Sequence, residues 1–427
     1  MRLLILLATT TMLAACGGAG PQSVGSSAPP TGGTGSGGGT SGGTAHTFVS
    51  PQDPKTYKAV GSSHSYAYSQ AVSVQADATG AAIPGTRTAS QTGQLYQGDA
   101  TTVRDSNLTI AYNPRDAIFD VSFNNPTAGT TATSRFQDPL HRTNFGGVVE
   151  PQRGTPNLGS AAWNISGVNY LESGTSDNVY YDPGLPGEFV FELLDPELPG
   201  SYNSTTFFYQ TPGTETQYVT FAGYLRNQAS VSRQDQANGN GTTTGVTVQS
   251  NTFERGAFAY GELTANDKVP TTGTGAFEGS MLASMVFNDQ PDTTGNFDTY
   301  FQWIAGTATT NIDFGANTFS LSLDGNVGAP LFDGTSGQHS VLEDALFRAN
   351  GGGSINLVNA GGFLGQFNEA WFVNPGGARL DLVIAGSSIN GAFYGPNGTE
   401  IGGGYRIVGG TPDERIDILG TFVGKKP

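Results

Sequence analysis

Apolar and polar residues alternate along much of this chain with a period of two, which is typical of a β-strand with one buried face. Phe119, Val121 and Phe123 fall on one face of such a segment, and the residues between them are polar. Residues 108–112 alternate in the same way, and the Asn-Pro-Arg-Asp stretch at 113–116 has a turn-forming composition. The sequence therefore predicts a β-hairpin here.

A second hairpin is predicted where an aromatic run at 206–209 and an alternating run at 218–226 flank a Pro-Gly turn at 212–213. Beyond it, the segment 238–245 consists of Asn, Gly and Thr and interrupts the alternation, as a domain junction or an exposed loop would. We place a domain boundary near residue 250.

After residue 250 the alternating runs are short and bounded by glycine-rich turns. Many short strands at even spacing predict a sandwich or a closed barrel. Glycine within the strands and a last strand that ends close to residue 427 favour the closed barrel. The runs lie at 309–314, 318–323, 379–384 and 415–418.

One segment in this part of the chain has helical character. In residues 340–349, Leu342, Leu346 and Phe347 share one face of a helical wheel. We expect a single helix within a loop here.

The composition agrees with a β-protein, since 63 Gly, 16 Tyr and 25 Phe accompany only 13% charged residues. The formal net charge is −16, and no basic run precedes the two lysines at 425–426. Nucleic acid is therefore not an expected partner.

The N-terminus has the pattern of an export signal. Arg2 gives a positive start, residues 3–13 are mostly apolar, and Leu-Ala-Ala precedes Cys16. This ending resembles the lipobox of bacterial lipoproteins, which implies that residues 1–15 are removed and that Cys16 is diacylated. Gly17, in place of an aspartate, implies the outer membrane. A single cysteine in 427 residues also excludes an intrachain disulfide.

Residues 16–50 are predicted to form a lipidated, flexible linker, because 17–43 consist almost entirely of Gly, Ser, Thr, Pro and Ala. Such a linker would hold the folded part clear of the membrane surface. The membrane is thus an expected partner through the N-terminal lipid.

No catalytic or metal-binding motif occurs in the sequence, so we predict that the protein is not an enzyme and binds no metal. No cofactor is predicted. Haem remains an alternative, because His64 lies beside Tyr66 and Tyr68, and His141 lies near Phe145.

Two stretches stand out after residue 250. One reads Gly-Ala-Phe-Tyr-Gly-Pro-Asn-Gly-Thr-Glu-Ile-Gly-Gly at 391–403 and continues as Gly-Thr-Phe-Val-Gly-Lys-Lys at 420–426. The other comprises Phe-Ala-Tyr-Gly at 258–261 and the glycine- and threonine-rich segment 269–279. Both resemble the barrel domain of transferrin-binding protein B and its lipoprotein relatives, with Val423 as a minor departure.

The resemblance implies an all-β protein with a β-rich handle domain at 51–250 and an antiparallel up-and-down β-barrel of about eight strands at 251–427. Within the motif, Glu400 is expected to be structural, hydrogen-bonded to backbone N–H groups or a basic side chain.

Ligand binding is expected on aromatic loops of a rigid scaffold. In transferrin-binding protein B the N-terminal lobe engages the partner, which by analogy favours the handle here. The candidate ligand-binding residues are Tyr180, Tyr181, Leu185 and Tyr202.

The resulting functional prediction is an outer-membrane, surface-exposed lipoprotein. It acts as a non-enzymatic binding protein or co-receptor for a protein or nutrient ligand in iron acquisition, with an outer-membrane transporter as a possible partner. The alternatives are a structural envelope lipoprotein without a soluble ligand and a haem-uptake protein.

Overall fold

The structure is a computed structural model of the chain. It describes residues 53–93, 101–102, 108–113, 118–125, 130–137, 168–176, 200–210, 213, 215–288, 299–329, 340–411 and 414–427. Cys16, the predicted signal peptide and the predicted linker lie outside these residues. No helix in the described part is long and apolar enough to cross a membrane.

The described strands of the N-terminal part form one antiparallel sheet, called here the first sheet. Its order is β6-β5-β4-β1-β10-β9-β8-β7, and β2 and β3 also pair with β1. The strands are β1 (Lys55–Ala76), β2 (Thr88–Gly93), β3 (Thr101–Thr102), β4 (Thr109–Asn113), β5 (Ile118–Asn125), β6 (Thr130–Gln137), β7 (Val168–Ser176), β8 (Gly200–Gln210), β9 (Val219–Ala237) and β10 (Thr243–Gly261).

Both predicted hairpins are confirmed. In β4 and β5, Tyr112 lies opposite Phe119 and Ile110 opposite Val121, so the apolar faces of the two strands coincide. The second hairpin is β8 with β9, in which Phe207 lies opposite Tyr224. The alternation of buried side chains is what sets the register in each pair.

The break at 238–245 contains the turn of a long hairpin at 238–242 and the first three residues of β10. β9 and β10 pair along their whole length, and the Asn238 amide donates hydrogen bonds of 2.9 Å to the hydroxyls of Thr242 and Thr244. Residue 250, where we expected a domain boundary, lies inside β10. The stretch 258–261, which resembles an entry into a barrel, belongs to the end of this strand in the first sheet.

The C-terminal part is a closed antiparallel barrel of eight strands, as predicted. Neighbouring strands pair in the order β14-β13-β12-β11-β19-β18-β17-β15, and pairing between β14 and β15 closes the ring. The strands are β11 (Thr274–Asn288), β12 (Thr299–Asp313), β13 (Thr318–Val327), β14 (Leu346–Asn356), β15 (Gly362–Val373), β17 (Val383–Tyr394), β18 (Glu400–Thr411) and β19 (Glu414–Lys425), and the short β16 (Arg379–Asp381) pairs with β15.

The helix predicted at 340–349 is wrong. The chain enters β14 at Leu346, after Asp344 takes a positive φ of 63°. Phe347 and Ala349 are buried and the residues beside them are not, which is the period of a strand. Leu342, Leu346 and Phe347 also fit a helical period. The segment from Leu346 onwards forms a strand because it pairs with β13 on one side and β15 on the other.

The barrel interior is a single apolar core. β13 shows the pattern most clearly, since its buried and exposed residues alternate without exception. The largest members of the core are the aromatic side chains Phe277, Phe287, Phe314, Phe319, Phe347, Phe363, Phe367, Phe372, Phe393, Tyr405 and Phe422.

The first sheet packs against the outer surface of the barrel. We call this contact the junction. It brings β1, β9 and β10 of the first sheet against β18 and β19 of the barrel. The outward faces of these two barrel strands are therefore covered by protein.

Candidate functional site

The structure describes only part of the predicted ligand-binding set. Tyr180, Tyr181 and Leu185 lie outside the described residues, as does Cys16. Tyr202 lies in β8 opposite Ala229, and its side chain is not among those described. The best-defined concentration of polar chemistry in the described residues is at the junction.

Glycines let the two backbones meet at the junction. A Cβ on Gly404 of β18 would collide with the Cα of Gly61 in β1 and would lie 2.8 Å from the carbonyl oxygen of Ala257 in β10. A Cβ on Gly402 would lie 2.8 Å from the Cβ of Ala259. Gly402 and Gly404 are therefore the places where the first sheet lies directly on the barrel.

A charged cluster lies in the junction, and we call it the Asp417 cluster: His64, Arg255, Arg406 and Asp417. These residues are 6%, 0%, 3% and 1% exposed, respectively. Arg255 Nη2 lies 2.6 Å from Asp417 Oδ1, and Arg406 Nη2 donates to Asp417 Oδ2 at 2.7 Å. The carboxylate of one barrel strand is thus shared by two guanidinium groups, one from each side of the junction.

Arg255 also joins the two sheets through backbone groups. From β10 it donates to the carbonyl oxygen of Ser284 at 2.8 Å and to that of Asp417 at 3.0 Å. Arg406 completes the pairing with a bond of 3.1 Å from its Nε to Asp417 Oδ1. A buried ion pair needs such additional hydrogen bonds to offset the cost of removing the charges from water.

The electrostatics of the cluster favour an ionised aspartate beside a neutral histidine. Burial alone raises the pKa of Asp417, but Arg255, His64 and Arg406 outweigh it and hold that pKa well below its usual range. The pKa of His64 is lowered to about 4, mainly by burial. Asp417 acts in the opposite direction, and the two guanidinium groups lower the pKa further. At neutral pH the imidazole, 3.7 Å from the carboxylate, is therefore uncharged.

Glu400 forms a second polar link across the junction. Its carboxylate accepts the backbone N–H groups of Gln217 and Tyr218 at 2.7 Å each and that of Val219 at 3.1 Å. Burial raises the pKa of Glu400, and these three donors together with Lys425 act in the opposite direction. The sequence-based expectation that Glu400 binds backbone N–H groups agrees with this geometry.

Residues next to Glu400 extend the link. Lys425 Nζ donates to the carbonyl oxygen of Glu215 at 2.8 Å, and the Ser280 hydroxyl donates to the Glu215 carboxylate at 2.6 Å. Gln210 of β8 donates to the same carboxylate at 2.5 Å. The segment that leads into β9 is therefore held to the barrel along several residues.

Apolar side chains fill the rest of the junction around Trp303. Its ring meets those of Phe208 and Phe301 edge-on, at centroid distances of 5.0 and 5.3 Å. Phe208 comes from the first sheet, whereas Trp303 and Phe301 come from β12 of the barrel. The other buried members are Val60, Val219, Phe221, Leu225, Phe253, Ala259, Leu282, Val286, Ala392, Tyr394 and Val423.

The histidine proposed as a haem ligand has a different environment. His64 is buried in the junction and faces two guanidinium groups and a carboxylate, so it is part of the Asp417 cluster and is not presented to a haem. His141 lies outside the described residues. Within the described part, no group of three or more His, Cys, Asp or Glu side chains is placed to hold a metal ion.

A family model for the C-lobe and N-lobe beta barrels of Tf-binding protein B matches residues 269–426. This range begins just before β11 and ends just after β19, so it coincides with the closed barrel. The barrel is a transferrin-binding protein B-like barrel. The motif at 391–403 lies in the β17–β18 hairpin, and β18 supplies Glu400, Gly402 and Gly404 to the junction.

Solved transferrin-binding protein B structures are similar to the chain at low identity. A double mutant from Haemophilus parasuis is 13% identical, with 88% of this chain and 78% of that chain covered and a TM-score of 0.27. The isotype 1 protein from serogroup B Neisseria meningitidis is 10% identical, with 88% and 77% covered and a TM-score of 0.23. No curated protein matches the chain. The similarity to Tf-binding protein B found by the family model is confined to residues 269–426.

Proposed function

We propose that this protein is a lipid-anchored protein of the outer membrane that binds a protein or nutrient ligand at the cell surface without catalysing a reaction. It would serve as a co-receptor in iron acquisition and pass its ligand to an outer-membrane transporter. The observation that carries the proposal is the match of residues 269–426 to the transferrin-binding protein B barrel.

The export signal and the lipobox-like ending before Cys16 support the anchored location. The long Gly- and Ser-rich linker at 17–43 suits a protein that must reach a ligand away from the membrane. The family model that matches the barrel describes a Tf-binding protein, and transferrin is accordingly one ligand to test.

The junction supports a binding role, because a rigid scaffold lowers the entropic cost of presenting loops to a ligand. The Asp417 cluster and Glu400 fix the first sheet on the barrel. We propose Tyr180, Tyr181, Leu185 and Tyr202 as the ligand-contacting residues carried by this scaffold.

The ligand is tested with the full chain in detergent, immobilised and exposed separately to transferrin and to haemoglobin. We expect saturable binding of one of them. Replacing both Tyr180 and Tyr181 with Ala should weaken that binding at least about tenfold, since aromatic anchors dominate most interfaces. Val383→Ala, at a residue on the barrel exterior that is 77% exposed, is the matched control and should bind as the parent does.

Binding of neither protein would favour the rival function, a structural envelope lipoprotein without a soluble ligand. Binding that survives the double replacement unchanged would remove this loop from the proposal and leave the receptor function standing. Haemoglobin binding alone would point to a haem source in place of transferrin.

The lipid anchor has its own test. Cys16→Ser should abolish acyl labelling and release the protein from the membrane fraction, because this is the only cysteine in the chain and the only acceptor for the lipid. The measurement is incorporation of a labelled fatty acid in cells, followed by membrane fractionation. Full labelling of the serine variant would contradict the anchor, and protection of the parent from protease added to whole cells would count against surface exposure.

A further inference from the structure

The outer end of β9, residues 232–237, lies at an edge of the first sheet. All six residues are exposed, and among the described strands only β10 pairs with them. β8 pairs with β9 as far as Val231, which lies opposite Gly200. The opposite edge of this part of the sheet, on β1, is covered by β2 and by residues 82–83. The outer end of β9 therefore has room for another strand.

The hydrogen bonding of the β9–β10 hairpin determines which backbone groups face this edge. At the turn, Asn238 donates its backbone N–H to the carbonyl oxygen of Thr242. In an antiparallel pair, alternate residues direct both of their backbone groups to the same neighbouring strand, and no register shift interrupts β9 and β10. The even-numbered residues of the segment therefore bond to β10. Arg233, Asp235 and Ala237 direct their N–H and C=O groups to the open edge.

Two opposite charges make this edge complementary to itself. Arg233 Nε lies 3.0 Å from Asp235 Oδ1, and the two side chains are 32% and 53% exposed. An antiparallel second copy with its two-fold axis at Gln234 places Arg233 of each copy opposite Asp235 of the other. Opposite charges that face each other across two strands are favourable. A register centred on Arg233 or on Asp235 would instead place like charges opposite each other, so the charges select one register.

We propose that residues 232–236 of β9 pair with the same residues of a second copy of this chain, antiparallel and centred on Gln234, so that two first sheets join into one. In this register each facing pair of Arg233 and Asp235 also exchanges its backbone hydrogen bonds. The contact is isologous, because the same segment serves both copies. It is short, since β8 already pairs with Val231, and the association is therefore weak and reversible. The proposal does not depend on which ligand the protein binds.

The proposed register predicts a disulfide between two copies at one position. Gln234 faces its own counterpart as a pair without backbone hydrogen bonds, in which the Cα atoms are about 4.5 Å apart and close enough for a disulfide. Gln234→Cys is made in the full chain with Cys16→Ser, so that one thiol remains. The matched control is Gln236→Cys, which is exposed on the same face of the strand. Its counterpart would lie four residues along the second strand, about 13 Å away.

Oxidised glutathione is the oxidant: it is reduced to two thiols as the two protein thiols form one disulfide, and the covalent dimer is measured on a non-reducing gel over time. We expect Gln234→Cys to dimerise at least about tenfold faster than Gln236→Cys, because pairing raises the local thiol concentration.

The charges are tested in the same Gln234→Cys chain. Arg233→Asp should remove the advantage over the control, because it places two carboxylates opposite each other, and the further change Asp235→Arg should restore it. The restored variant also decides the test if Arg233→Asp alone disturbs the strand. Equal rates for the two cysteine variants would overturn the proposal, as would a charge-exchanged chain that dimerises no faster than the control.

Discussion

Asp417→Ala is expected to lower the free energy of unfolding by about 3–5 kcal/mol, the largest effect of any single substitution at the junction. The substitution leaves Arg255 and Arg406 without their shared carboxylate in a site where neither is more than 3% exposed. Each guanidinium then keeps its charge, since arginine does not lose its proton in proteins. The measurement is equilibrium unfolding in urea, monitored by tryptophan fluorescence, to which Trp303 in the junction contributes.

The matched control is Asp324→Ala on the barrel exterior. Asp324 pairs with Arg348 at 3.1 Å, a distance like those in the Asp417 cluster, but their side chains are 55% and 46% exposed. An ion pair that is exposed to water contributes about 1 kcal/mol or less to the free energy of unfolding. Equal losses for the two substitutions would mean that burial does not set the strength of the Asp417 cluster.

Replacing Arg255 and Arg406 with Met in the same chain as Asp417→Leu should cost less than Asp417→Ala alone. The triple replacement leaves no charge unpaired and fills the site with apolar volume. A triple variant less stable than Asp417→Ala would instead indicate that hydrogen bonds such as Arg255 to Ser284 carry most of the contact.

The strands were predictable from the sequence because their signal is local. Phe119 and Val121 alternate with polar neighbours, and the pairing of β4 with β5 follows from the turn-forming composition of the residues between them. The same holds for β13, whose buried residues alternate throughout. The start of β14 within 340–349 was not predicted, because its apolar spacing also fits a helix. The strand forms there because it pairs with β13 and β15.

The junction could be predicted only in part. The sequence indicated that Glu400 is hydrogen-bonded to backbone N–H groups or to a basic side chain, but not that the donors are the N–H groups of Gln217, Tyr218 and Val219 in a distant segment. Asp417 alternates with Ile416 and Ile418, which face the barrel core, so the pattern places it on the outer face as an ordinary solvated charge. The first sheet covers that face. The alternation of residues within one strand does not show whether another sheet packs against its outer face.

The boundary expected near residue 250 illustrates the same limit. The polar Asn-, Gly- and Thr-rich segment at 238–245 breaks the apolar alternation, yet both flanking strands continue as one polar hairpin. A hairpin of this kind needs little buried apolar surface along its outer half, because backbone hydrogen bonds to β1 and β9 hold β10 in place.

Gly404→Ala is expected to destabilise the protein by about 1–3 kcal/mol, through steric overlap at the junction. The added methyl group would meet the Cα of Gly61 and the carbonyl oxygen of Ala257, and neither is the flexible end of a side chain that can move aside. Gly386→Ala, in the irregular part of β17 where no atom lies within 4 Å of the added carbon, is the control and should be neutral or slightly stabilising. Urea unfolding of the two variants makes the comparison. A loss of unfolding free energy at Gly404 no larger than that at Gly386 would mean that the first sheet and the barrel do not meet at this glycine.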